Sequence, residues 1–253
     1  MTKELADYAV KLVSGIFLAL IAGSAQADPI VIESPPYRVA MLELYTSEGC
    51  SSCPPADRWV SGLKTQPDLW RRFIPLSFHV DYWDYIGWPD RFASPAFSDR
   101  QRRHASGQSM RTIYTPGFFL NGAEWRWRGG DLGAELEQVP AGTLEVAIND
   151  ADLTVRFVSE LQHGDLRASV ALLGFGIETR VKAGENAGRT LSHDFVVLSV
   201  EEAALKLEGN VFKARLASPS RKVDAQRYAI VAWVNSKGSQ VPIQAAGGWW
   251  ELM

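Results

Sequence analysis

Cysteine is nearly absent from this chain: 253 residues carry two, Cys50 and Cys53, both inside the stretch GCSSCPP. So few thiols exclude the multi-bridge framework that staples small secreted domains. A bridge between residues this close would close a tiny loop and remove little entropy from the unfolded chain, so stabilisation is a weak reason to keep it. Histidine is scarce too, with 4 residues and no His-x-x-His run, which argues against a closed structural zinc site with its full set of protein ligands. A charge excess is missing as well: 26 Lys and Arg stand against 29 Asp and Glu, net −3, and nucleic-acid binding usually shows as a basic face. The one basic cluster, RQRRH from Arg100 to His104, reads as the solvated side of a helix. With 46% apolar and 22% charged residues, disorder, collagen and coiled coil are excluded.

The apolar run LVSGIFLALIAG, Leu12 to Gly23, is too short to span a bilayer comfortably. Lys3 and Lys11 flank the opening segment, and Ala25-Gln26-Ala27 has the small-x-small form of a signal-peptidase site. Residues 1–27 are therefore expected to be a signal peptide. The mature chain should begin near Asp28, exported to a bacterial periplasm or secreted, with no stable membrane insertion after cleavage. Glu4 and Asp7 are unusual in such an opening.

What is present reads as two textures. RVAMLELYT, Arg38 to Thr46, is a strand. Gly49 breaks it, and Pro54 and Pro55 suit a first helical turn, where the amides have no partner anyway. ADRWVSGLKTQ then reads as a helix and FIPLSFHV as a second strand, spaced for a parallel crossover. A helix around Ala96 to Ala105, a hairpin turning at Asn121-Gly122, and a short helix at GGDLGAELEQV complete this half. From about Thr143 the chain turns to short strand-like runs, the rhythm of an antiparallel sandwich. The expected organisation is an α/β domain over residues 36–140, in the order β-α-β-α-β-β-α, and a β-rich, sandwich-like domain over 143–253.

That order, with Cys-x-x-Cys entering the first helix, resembles the thioredoxin-like superfamily. LYTSEGCSSC is similar to the glutaredoxin opening, YTPGFFLNG to the segment holding that superfamily's cis-proline, and RGGDLGAEL to the glutaredoxin Gly-Gly-Asp helix start. LELYTSEGCSSCPPAD, FHVDYWDYIGWPDRFASPAFSDRQR and the β-rich tail further resemble a bacterial family of secreted proteins known as domain of unknown function 1223. The resemblance implies a thioredoxin-like fold and leaves the activity open.

The chemistry expected at the pair is thiol–disulfide exchange, on protein or low-molecular-weight thiols. Cys50, at a helix N-terminus, would ionise easily and attack first; Cys53, one turn inward, would resolve the mixed disulfide. Glu43, whose position resembles the buried acid of thioredoxins, would accept the proton of Cys53 through water, against the alternative of a strand carboxylate paired with an arginine. Thr115 and Pro116, if cis, would present backbone groups to an extended peptide or to glutathione. His79, Asp81, Tyr82 and Trp83 should emerge beside the cysteines, with Trp83 and Trp88 flooring a cleft. No resident cofactor is expected beyond the disulfide. Glutathione, received at Gly129-Gly130-Asp131, and Cu(I), held by the two thiolates with His79 as third ligand, are the candidate ligands. Transfer of metal, a plain structural disulfide and a binding module without turnover are the alternatives.

Overall fold

The computed structural model describes residues 29–127, 132–149, 152–221 and 223–250. The expected signal peptide and the Gly129-Gly130-Asp131 segment lie outside the described residues.

The elements are β1 (Ile30–Glu33), β2 (Ala40–Thr46), α1 (Pro54–Gly62), β3 (Phe73–His79), α2 (Pro95–Gly107), β4 (Gly117–Leu120), β5 (Ala123–Glu124), β6 (Thr143–Ile148) and β7 (Asp152–Val158). They continue with β8 (Leu166–Phe175), β9 (Ile177–Arg180), β10 (Thr190–His193), β11 (Val196–Ala204), β12 (Lys206–Glu208), β13 (Val211–Ala217), β14 (Arg227–Ser236) and β15 (Pro242–Trp249).

An eight-stranded sheet runs β15-β14-β8-β11-β3-β2-β4-β5, a five-stranded sheet runs β1-β6-β7-β13-β12, and β9 and β10 form a separate hairpin. The large sheet explains itself by alternation. Along β14, Ile230, Ala232 and Val234 enter one core with Val155 and Phe157 of the smaller sheet, while Ala229, Val231 and Trp233 enter the other. A strand buried on both faces needs apolar residues at every position, so these runs are continuous rather than alternating.

The α/β thioredoxin-like class expected from the sequence is overturned. Fifteen strands and two α-helices make the described chain mostly β, in a sandwich-like, β-rich architecture. The parallel β2–β3 pair is present, but β3 does not end the sheet: Val196 of β11 pairs beside it at Ser77. Four of the strands expected in a separate sandwich, β8, β11, β14 and β15, thus extend the same sheet as the first ones. The expected helix at GGDLGAELEQV is, in its described part, only a 3-10 turn over Leu132–Glu135. The thioredoxin-like and glutaredoxin-like likeness therefore rested on local order, and the pairing of strands far apart in sequence decided the fold.

The two helices lie on opposite faces of β2. Glu43, Tyr45 and, across the register, Phe119 point to α2, where His104 stacks on Phe119. Leu44 and its partner Phe118 point to α1, where Trp59 packs edge-on against Phe118. This division determines which groups can reach the cysteines.

Candidate functional site

Cys50 and Cys53 form a disulfide between the end of β2 and the start of α1. Both residues are 0% exposed, although Ser51 and Ser52 between them face solvent. The Ser52 hydroxyl lies 3.3 Å from Cys50 Sγ. The rest of the cover comes from the β9–β10 loop. Asn186 Nδ2 donates to the carbonyls of Glu48 and Cys50, each at 2.9 Å, and Glu185 Oε2 accepts from the Ser51 amide at 3.1 Å. A second wall is the segment after β3: a Cβ placed on Gly49 would stand 3.0 Å from Trp83 Cβ, so glycine is what lets the tryptophan backbone seat there.

The expected stabilisation of a Cys50 thiolate by free helix amides is not found. Pro54 and Pro55 carry no N–H, the amides of Ala56 and Asp57 donate to Cys53 O, and the Cys53 amide donates to Cys50 O. The Glu185 carboxylate beside Ser51 adds negative charge. The helix dipole and the Ser52 hydroxyl act in the other direction.

Trp83 joins the cysteine loop to the Thr115–Pro116 bond, which is cis: its indole Nε1 donates to Thr115 Oγ1 at 2.7 Å. Cys50, Cys53, Trp83, Thr115 and Pro116 thus gather at one end of the large sheet. Glu43 does not. It faces α2, where Arg100 donates to both of its oxygens at 2.7 and 2.8 Å, and where Tyr45 and His104 also reach it. Burial alone would raise its pKa, but Arg100 and His104 hold it well below the usual carboxylate range. Such a fixed, ion-paired carboxylate on the face away from α1 is no proton acceptor for Cys53. The same contact corrects the reading of the basic cluster: Arg100 and His104 are buried, while Arg102 and Arg103 form its solvated part.

Another buried acid stands on the cysteine side. Asp57 follows Cys53 by one turn of α1, its amide bonded to Cys53 O at 3.1 Å, so the two side chains share one helix face. Burial pushes its carboxyl up, against the pull of His193 and His79. Around it lies a cluster drawn from four parts of the chain. His79 Nδ1 meets Asp90 Oδ2 at 2.7 Å; Asp90 accepts from the Glu48 amide at 2.8 Å; Glu48 accepts from Trp88 Nε1 at 2.8 Å and lies 3.3 Å from His193 Nε2. The two imidazoles pack edge to face, centroids 5.1 Å apart. Burial opposes the charged forms of His79 and Asp90, but their mutual attraction prevails, raising the histidine and lowering the aspartate. His79 therefore turns inward to a carboxylate, and among the described residues no group of three or more His, Cys, Asp or Glu is arranged to hold a metal ion.

Sequence reasoning named His79, Trp83 and Trp88 for this end of the sheet and missed Glu48, Asp57, Asp90 and Asn186. Asp57 carries a usable signal, since the i to i+4 spacing from Cys53 places it under that sulfur once the helix is recognised.

Fold and site together define a β-rich protein whose Cys-x-x-Cys disulfide is covered by a loop and backed by a buried acid–imidazole cluster. The family model for proteins of unknown function, DUF1223, matches residues 41–235, and the chain belongs to that family. No curated protein matches it significantly. Among solved structures it is similar to protein AGR_C_4864 of Agrobacterium tumefaciens, at 23% identity and a TM-score of 0.61 over 83% of this chain and 94% of that one. It is also similar to HBP35 of Porphyromonas gingivalis, at 14% identity and a TM-score of 0.57 over 85% of this chain and 76% of the other. At these identities the likeness concerns the fold alone.

Proposed function

We propose that the protein is an exported thiol–disulfide oxidoreductase acting on protein or low-molecular-weight disulfides. The observation that carries the reading is the Cys50–Cys53 bridge with Asp57 buried one turn behind it. From the dithiol form, the Cys50 thiolate attacks one sulfur of a substrate disulfide and expels the other as a thiolate. Cys53 then gives its proton to Asp57, and its sulfur attacks Cys50 Sγ, forming the intramolecular bridge and releasing the second substrate sulfur. Two electrons pass to the substrate. The proposed direction is reduction of the substrate, in keeping with the Glu185 carboxylate beside Ser51, which opposes a thiolate at Cys50. Thr115, Pro116 and Trp83, at the same end of the large sheet as the bridge, are the proposed substrate contacts; glutathione is one proposed substrate. Export rests on the leader-like residues 1–27, and no helix among the described residues is long and apolar enough to cross a membrane.

Full burial of both sulfurs favours one competing reading, a structural clip without turnover. A Cys53→Ser variant expressed in the export compartment separates the two. Exchange predicts mixed disulfides accumulating on Cys50 and none in Cys50→Ser. A clip predicts none in either variant, and that result would overturn the proposal.

A further inference from the structure

A groove of about 630 Å³ lies between α2 and β11, away from the cysteine loop. That volume is in the range of small-molecule sites, roughly 300–1,000 Å³. Its floor is apolar: Phe78 and Phe97 are buried, while Leu198 and Val200 of β11 are only half covered. A bulge between Val197 and Ser199 interrupts the pairing of β11 with β8 at this point, and Leu198, Ser199 and Val200 all line the groove. Bulges of this kind re-aim side chains and recur beside binding sites. The Ser199 hydroxyl is buried at this bulge with no hydrogen-bond partner among the described residues.

The rim carries unneutralised positive charge. Of its arginines, Arg100 is consumed by Glu43. Arg91 meets only uncharged acceptors, Glu178 O and Thr179 Oγ1, both at 3.3 Å. Arg103 has neither a hydrogen bond nor an ion pair among the described residues. The acids on the same rim are occupied, Asp99 by Arg102 at 2.6 Å and Glu202 by Arg167 at 3.2 Å. Two guanidinium groups without carboxylate partners therefore border an apolar floor.

We propose that this groove binds an amphipathic anion: a carboxylate head held by Arg103, an apolar body lying on Leu198, Val200 and Phe97. The planar guanidinium matches a carboxylate in two-point geometry. The site is independent of the disulfide chemistry and stands whether or not that chemistry is correct.

The test uses decanoate as probe, titrated calorimetrically into the full chain below its micellar concentration, with decyltrimethylammonium as a matched tail of opposite charge. Saturable binding of decanoate, no competition from the cation, and weakening as salt screens the head are expected. Arg103→Glu, a surface change, should weaken decanoate by about tenfold or more, the loss of one charge-assisted contact. Leu198→Trp, which fills the groove, should abolish binding while thermal unfolding shows the fold retained; if that variant unfolds, Val200→Trp serves the same purpose. Absence of saturable binding, equal binding of both head groups, or full affinity in Arg103→Glu would overturn the proposal.

Discussion

Asn186→Ala should make the disulfide easier to reach. The side chain donates two hydrogen bonds, to Glu48 O and Cys50 O, both at 2.9 Å and within a buried setting. Removing it leaves Glu48 O without its donor in the covered state and Cys50 O with the Cys53 amide alone, whereas water would satisfy Glu48 O once the loop lifts. A buried unsatisfied group costs about 1–3 kcal/mol, and part of that cost returns on relaxation. A net destabilisation of the covered state by about 1.4–2.8 kcal/mol raises the open fraction, and hence the reduction rate, by about ten- to a hundredfold. The assay follows reduction of the oxidised protein by excess dithiothreitol, quenched by alkylation and read by mass. Leu153→Ala in the five-stranded sheet is the control, since that core change should cost about 2–5 kcal/mol globally without touching the loop. An unchanged rate in Asn186→Ala, or an equal acceleration in both variants, would refute the idea that the β9–β10 loop controls access.

Other expected outcomes test the remaining parts of the site. Asp57→Asn should slow exchange by about a hundredfold, the range of a lost proton acceptor, while raising the melting temperature near neutral pH. The sign follows from linkage: a raised carboxyl binds a proton in the folded state that the unfolded chain has released. Its contribution therefore falls as pH rises from the ordinary aspartate value of 3.8 through the folded value, and the amide removes that loss. Arg100→Met should cost about 3–5 kcal/mol by taking the guanidinium from buried Glu43 and leaving it only Tyr45 and His104, lowering the melting temperature by about 6–20 °C. Glu43→Gln should leave the exchange rate unchanged and reduce the stability lost on acidification. A lowered carboxylate stabilises above its unfolded value of 4.5 and loses that contribution as pH falls toward its folded value. Intact-mass analysis of protein from an exporting bacterium should find the mature chain starting near Asp28.

Local features of the site were legible in the letters. Gly49, the cysteine pair and Pro54-Pro55 mark a strand-to-helix junction, and Asn121-Gly122 marks the turn between β4 and β5, where both residues have positive φ. The fold class was not legible, because it depends on pairing across long separations. LRASVALLGF and RYAIVAWVN read correctly as strands, but nothing local says that the first of these neighbours β11, or that β11 joins β3 at a single parallel register point, Val196 with Ser77. Glu43 shows the same limit. Its period-two position on β2 fixes a face, but only the fold reveals Arg100 waiting on it, inside a cluster that reads as solvated. The acid–imidazole cluster is assembled from segments as distant as Glu48 and His193, which no spacing rule connects.

The central claim is that the covered disulfide opens in the folded molecule. Its most direct measurement is the rate of Cys50–Cys53 reduction set against the rate of global unfolding, with both followed in the same buffer by quenched alkylation and circular dichroism. Reduction should run much faster than unfolding, with secondary structure retained in the dithiol form. Reduction no faster than unfolding would contradict it.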